Sequence, residues 1–405
     1  MCDQRIIRFL GVGVHDGNVL NGPGPVWVEL KRRGYDVTVC LQKGYSAADS
    51  YRNKSSVHRL LGSLDVRCFE RFPEAGFLSC YNAVVSAMSP LSYSMETNVA
   101  GFCNGYARYS KRPLFVVEDT VSARRNGSWS DFVSDHDRVK ALYAPVSANG
   151  HVGCREVVVG PMVMNRWRGV NVEELARTAR QKLGISDAPV LYFSPSPEKE
   201  GGEAFVKLAT LIKDDRGTKV PDNAVFLLNR HRRELTQPVE GNSQRYAWGQ
   251  RILMQAGFRV IDNSPEFGDI GQGDIRCIMP ECRPPDFLTY PEMLVVTHGN
   301  GVAVSFFSTD VLMVAPHLPG IAPVLWLDEE LGGAVLLREK HMKCFADLHA
   351  VIQPTRNESL MSAIGIGFGR TGARSVYCTA LSKAFPFPTS DPVQTICDDI
   401  LRQMD

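Results

Sequence analysis

The chain has 405 residues, 44% hydrophobic and 22% charged, and 45 Lys and Arg against 44 Asp and Glu leave a formal net charge of +1. That length exceeds one compact core, so two domains are expected. The near-neutral balance argues against a general binder of nucleic acid or of anionic membranes and leaves room only for a local basic groove.

No apolar run is long enough to cross a bilayer, and the apolar stretch of Met1–Leu10 is too short for a signal peptide. The eleven cysteines are scattered, with no Cys-x-x-Cys pair. A reducing, cytoplasmic compartment without disulfides or zinc is therefore expected, with Cys40, Cys80 and Cys277 as buried thiols.

In chain order, Ile6 to Val12 reads as a strand and runs into Gly11-Val12-Gly13-Val14-His15-Asp16-Gly17-Asn18. A helix from about Pro25 to Arg33 ends at Gly34, and Tyr35 to Leu41 is a second strand. Right-handed crossover makes the two strands parallel neighbours. The spacing is not the dinucleotide fingerprint Gly-x-Gly-x-x-Gly, so the glycine-rich turn is expected to face some other ligand. Further strands are expected at Val66–Phe69, Ala83–Ala87, Pro113–Asp119, Val139–Ala144 and Glu156–Val159, with a helix at Met95–Tyr109 and a polar loop over 122–131. Gly160 to Trp167 marks a boundary. Beyond it a helix is expected from Val172 to Leu183, then a strand at Pro189–Phe193 and a helix around Ala204–Ile212. Strands follow at Ala224–Leu228, Phe258–Asp262, Leu294–Thr297, Val311–Ala315 and Ala334–Leu337, and a closing helix over Asp391–Met404.

The domains expected are 1–165, 166–390 and the closing helix 391–405. The fold class is α/β with two parallel sheets, whose carboxyl edges are where open sheets of this kind bind ligands.

The most informative stretch is Leu294-Val295-Val296-Thr297-His298-Gly299-Asn300-Gly301-Val302. An apolar strand there empties through a glycine turn into an apolar segment suited to a helix. Free N–H groups and a helix dipole at such a junction favour an anion.

Three pieces together resemble the two-Rossmann-domain (GT-B) glycosyltransferases that use nucleotide sugars. They are Gly11–Gly17 with Glu29–Val37, the linker Glu156–Pro161, and Val295–Gly301 with Val311–Val314, similar to that family's Val-Thr-His-Gly-Gly donor signature. The resemblance implies two facing Rossmann-like domains with a cleft between them, an acceptor site in the first and a nucleotide-sugar site in the second, with no resident cofactor. It implies that Thr297, His298, Gly299, Asn300 and Gly301 contact the donor diphosphate. Ser194, Ser196 and Lys199 would lie near the donor phosphates, and Lys199 or Arg230 would neutralise the leaving pyrophosphate.

In the first domain His15 is the candidate general base, because an imidazole titrates near neutrality. Asp119 or Glu118 would orient it, and Asp16, Ser92 and Glu96 are candidate acceptor contacts. The run Arg230–Arg233 otherwise reads as a solvated helix start. No acidic or His cluster has metal-ligand spacing.

Two other readings stay open. One is a non-hydrolysing nucleotide-sugar 2-epimerase, using carboxylates such as Glu118, Asp119 and Glu292. The other is a non-catalytic nucleotide-sugar-binding module, since Asn300 and Leu312 depart from the family pattern and a ribose-binding Glu has no clear counterpart.

Overall fold

The structure is a computed structural model. It describes residues 7–70, 77, 79–88, 112–118, 139–144, 154–160, 162, 174, 177–178, 181, 183–185, 188–194, 199–215, 218–228, 230, 239–262, 293–297, 312–314, 357–369 and 390–404. The chain forms two compact units, Met1–Arg166 with Phe387–Asp405, and Trp167–Pro386.

The first unit opens with β1 (Arg8–Gly13), α1 (Asp16–Asn21), α2 (Gly24–Arg32) and β2 (Asp36–Gln42). Two short helices follow, α3 (Ser46–Arg52) and α4 (Ser56–Leu61), then β3 (Asp65–Phe69), β4 (Ala83–Met88), β5 (Leu114–Glu118), β6 (Val139–Ala144) and β7 (Glu156–Val158). All seven strands are parallel, in the order β3-β2-β1-β4-β5-β6-β7. Strands of such a sheet are covered on both faces, which is why β1, β2 and β5 read as nearly unbroken apolar runs. Phe9, Val37, Val39 and Phe115 serve one core, while Leu10, Val12, Cys40 and Val116 serve the other.

The glycines of β1 have a packing role, which corrects the expectation that this whole stretch faces a ligand. A Cβ on Gly11 would stand 2.7 Å from Cε2 of Trp27, and one on Gly13 would stand 2.4 Å from Cγ2 of Val19. The bare backbone lets Trp27 of α2 close onto the sheet, where its indole Nε1 donates to the Val85 carbonyl at 3.0 Å. Pro in the first turn starts α2, and Gly34 at φ +93° ends it. The segment from Asp16 is likewise a helix rather than an open turn, because Val19 is buried beneath it.

The second unit contains β8 (Val190–Ser194), α5 (Lys199–Asp214), β9 (Val225–Leu228), α6 (Asn242–Gln255), β10 (Arg259–Asp262), β11 (Met293–Thr297), β12 (Leu312–Val314) and α7 (Asn357–Phe368). Its strands are parallel in the order β10-β9-β8-β11-β12. Helices α5 and α6 lie tightly together, since a Cβ on Gly249 would meet the Phe205 ring at 2.6 Å. Arg259 donates to the carbonyls of Leu183 at 2.7 Å and Gly184 at 2.8 Å, fastening β10 to the segment before β8.

The chain then returns to the first unit as α8 (Pro392–Met404), capped by the Asp391 carboxylate, which accepts from Val393 N–H at 2.8 Å. Val393, Ile396, Cys397 and Ile400 enter the same core as Trp27. Asp399 accepts from both Arg155 Nη atoms at 2.6 and 2.8 Å, from Tyr143 Oη at 2.9 Å and from Gln403 at 2.8 Å. Burial alone would raise the Asp399 pKa, but the Arg155 and Tyr143 hydrogen bonds outweigh it and hold the carboxyl below its ordinary value. Arg33 bridges α2 and α8 by pairing with Glu29 and Asp398 and donating to Gln394.

Cys40 is buried as expected, and burial raises its thiol to about 12. Cys80 departs from expectation: it is exposed, in the turn ahead of β4 rather than in a strand. Cys277, the expected helix at 95–109, the polar loop 122–131 and the expected strand at 334–337 lie outside the described residues, and the expected helix at 172–183 is described only in part.

Candidate functional site

Both sheets reverse their order of addition beside their first strand. In the first unit the chain lays down β1, β2 and β3 outward, then returns to place β4 on the other side of β1. The second unit repeats this with β8, β9 and β10, then β11 on the other side of β8. The crevice at the carboxyl end of such a reversal is where open α/β sheets bind ligands, because the loops there diverge to opposite faces.

In the first unit, β1 delivers His15 to that edge. His15 caps α1 with extended backbone, and its carbonyl accepts from Val19 N–H at 3.0 Å. Its ring meets the Tyr45 ring edge-on, with centroids 5.5 Å apart. Burial lowers the imidazole pKa, and the nearby Asp16 carboxylate raises it less, so the ring is neutral near pH 7. A neutral imidazole is the form that accepts a proton.

Asp16 is engaged locally. Its Oδ1 accepts from Gly17 N–H at 2.9 Å and from Ser46 Oγ at 3.0 Å, while its own N–H donates to Ser46 Oγ at 3.0 Å. Glu118 ends β5 at the same edge of the sheet and is 1% exposed. Asp119, Ser92 and Glu96 lie outside the described residues.

In the second unit, Thr297 at the end of β11 pairs in register with Ser194 at the end of β8. Thr297 and Ser194 therefore end adjacent strands, at the reversal. Lys199 begins α5. Ser196, His298, Gly299, Asn300 and Gly301 lie outside the described residues.

Arg230 departs from the solvated role expected for it. It is 3% exposed, and its Nη2 donates to Asp262 Oδ2 at 2.8 Å. Its guanidinium lies 4.4 Å from the centroid of the Tyr246 ring. Gln250 donates to the same Asp262 oxygen at 2.5 Å. The charge of Arg230 is matched inside its own unit, where a buried cation needs a partner.

Tyr45, Ser46 and Asp262 were not among the residues picked out from the sequence. A serine opening a helix is a weak signal, and Asp262 pairs with a residue 32 positions away. Among the described residues no group of three or more His, Cys, Asp or Glu side chains is arranged to hold a metal, and no helix is long and apolar enough to cross a membrane.

These sheets define a protein built from two Rossmann-like α/β units. At the level of sequence, no protein-family model and no curated protein matches the chain. At the level of structure it is similar to MurG of Acinetobacter baumannii, with TM-score 0.54 and 12% identity over 98% of this chain and 99% of that one. It is also similar to the UDP-GlcNAc 2-epimerase of Neisseria meningitidis bound to UDP-GlcNAc, with TM-score 0.52 and 11% identity over 98% and 100%. A third likeness is to HepE of Anabaena in complex with UDP, with TM-score 0.52 and 13% identity over 98% and 99%. The chain therefore has the two-Rossmann-domain fold of GT-B type, as a divergent example of it.

Proposed function

We propose that the protein is an enzyme that transfers a sugar from a nucleotide diphosphate sugar to an acceptor hydroxyl. The observation that carries this reading is the in-register pairing of Thr297 with Ser194 at the strand reversal of the second sheet. It sets the ends of β8 and β11 side by side at the edge where such sheets bind nucleotides. Proteins that share the fold bind the same class of molecule: the Anabaena structure holds UDP, and the Neisseria structure holds UDP-GlcNAc.

In this reading the N–H groups of Gly299, Asn300 and Gly301 and the side chain of His298 hold the diphosphate, with Ser194, Ser196, Lys199 and Thr297 beside it. The first unit binds the acceptor through Asp16, Ser92 and Glu96. His15, oriented by Asp119, takes the acceptor hydroxyl proton. The acceptor oxygen forms a bond to the anomeric carbon as the bond to the diphosphate breaks, and the nucleoside diphosphate leaves with the electron pair. The hydrogen bonds to the diphosphate stabilise that departing charge, and the reaction uses neither a metal nor a resident cofactor.

A thermal-shift panel of nucleoside diphosphates and nucleotide sugars tests the first half, because a specific ligand raises the melting temperature by mass action. Acceptor-dependent release of the nucleoside diphosphate tests the second half. A panel in which no nucleotide moves the melt would remove the reading.

One observation favours a second reading, epimerisation at C2 of the sugar: Glu118 is a buried carboxylate at the carboxyl end of β5. Elimination and re-addition need such groups. Solvent deuterium appearing at C2 without any acceptor would select epimerisation over transfer.

A further inference from the structure

Three hydrogen bonds and one ring contact join the loop after β1 to the loop after β2. Ser46 Oγ accepts from the Asp16 N–H and donates to Asp16 Oδ1, each at 3.0 Å. Ala47 N–H donates to the Val14 carbonyl at 3.1 Å. His15 lies between these two bridges in sequence, and Tyr45 meets its ring edge-on. The starts of α1 and α3 are thus tied to each other, although 30 residues separate Asp16 from Ser46.

A strand-end loop held only by its own residues would leave the imidazole several rotamers. Here the backbone on both sides of His15 is fixed by a neighbouring loop, and one edge of the ring is covered by an aromatic. We propose that Ser46 and Tyr45 are positioning residues for His15, the hydroxyl fixing the loop that carries the imidazole and the phenol ring fixing its plane. This deepens the transferase reading and rests on it only for the role of His15 as base. It also gives Asp16 a role besides acceptor contact, because Oδ1 is an anchor of the bridge.

The consequences are specific. Orientation of a base matters steeply, since a small misplacement costs one to two orders of magnitude in rate. The charged group acting on His15 is its own neighbour Asp16, with burial the larger influence, and the Tyr45 ring ahead of α3 packs against the imidazole. Loosening the bridge lets water reach the ring, so the imidazole titrates at higher pH.

The experiment is an NMR titration of the His15 ring in the 405-residue chain, assigned by difference against His15→Gln, in wild type, Ser46→Ala, Ser46→Thr and Tyr45→Leu. UDP release from UDP-GlcNAc is followed across pH in the same variants. The His15 midpoint is expected to rise in Ser46→Ala and Tyr45→Leu and to stay near wild type in Ser46→Thr, which keeps the hydroxyl. Turnover is expected to fall about tenfold in Ser46→Ala, in kcat rather than in KM for the nucleotide sugar, with the acid limb moving alongside the titration. If Ser46→Ala does not fold, Tyr45→Leu makes the same test without touching the bridge. An unchanged His15 midpoint in the folded variants overturns the positioning role. A midpoint that moves while the pH dependence of turnover stays still removes His15 as base and leaves the bridge standing.

Discussion

Single positions show how one residue type serves different ends. Gly11 and Gly13 look like ligand-approach glycines in the sequence, yet the space they leave is filled by Trp27 and Val19. A glycine that admits a side chain and one that admits a ligand are the same letter, so only the structure separates them. Gly11→Ala is expected to lower stability by about 1–3 kcal/mol, as overpacking does, measured as a shift in the urea midpoint. Arg230 teaches the same lesson for charge, because its partner Asp262 is remote in sequence. Arg230→Met is expected to cost about 3–5 kcal/mol with no nucleotide present, since it leaves the buried Asp262 carboxylate without its cation. A donor-phosphate contact with no structural duty would leave that melt unchanged. His15 has a pKa lowered by burial, so activity that depends on its neutral form is expected to persist below the ordinary histidine midpoint, read from the acid limb of the pH–rate profile.

The strands were the legible elements, because strands covered on both faces leave apolar runs that no helix interrupts. The expected strands at 35–41, 83–87, 224–228 and 294–297 correspond to β2, β4, β9 and β11. The short helices α1, α3 and α4 were missed, each being six or seven residues and too short for a face to repeat. The junction of α2 with α8 gives the clearest pH dependence. Hydrogen bonding from Arg32, opposed by burial and reinforced by Arg33 and Gln394, lowers Glu29 from 4.5 to about 2. A depressed carboxylate contributes stability above its unfolded pKa and loses it as pH falls through the folded one. The urea midpoint is therefore expected to fall between about pH 4.5 and 2, and Glu29→Gln is expected to flatten that fall. Ile396, fully buried on α8, is expected to cost about 2–5 kcal/mol when changed to Ala, read from the same melts.

At the scale of the whole molecule, the alternation of strands and helices and the two-unit layout were readable from the order of apolar runs. Topology was readable only as parallel neighbours, because the return of β4 and β11 to the far side of β1 and β8 leaves no mark on the local sequence. The place of α8 was hidden in the same way. Its amphipathic pattern marks a helix, but its contacts with Trp27, Tyr143 and Arg155 join segments more than two hundred residues apart. That separation has a consequence for biosynthesis. The first unit emerges from the ribosome with the part of its Trp27 core that Val393, Ile396, Cys397 and Ile400 fill still open, and the whole of Trp167–Pro386 must be translated before α8 arrives. At 5–20 residues per second that interval is on the order of tens of seconds. During it the nascent first unit presents an apolar face that holding chaperones would recognise, and the half made first is completed last.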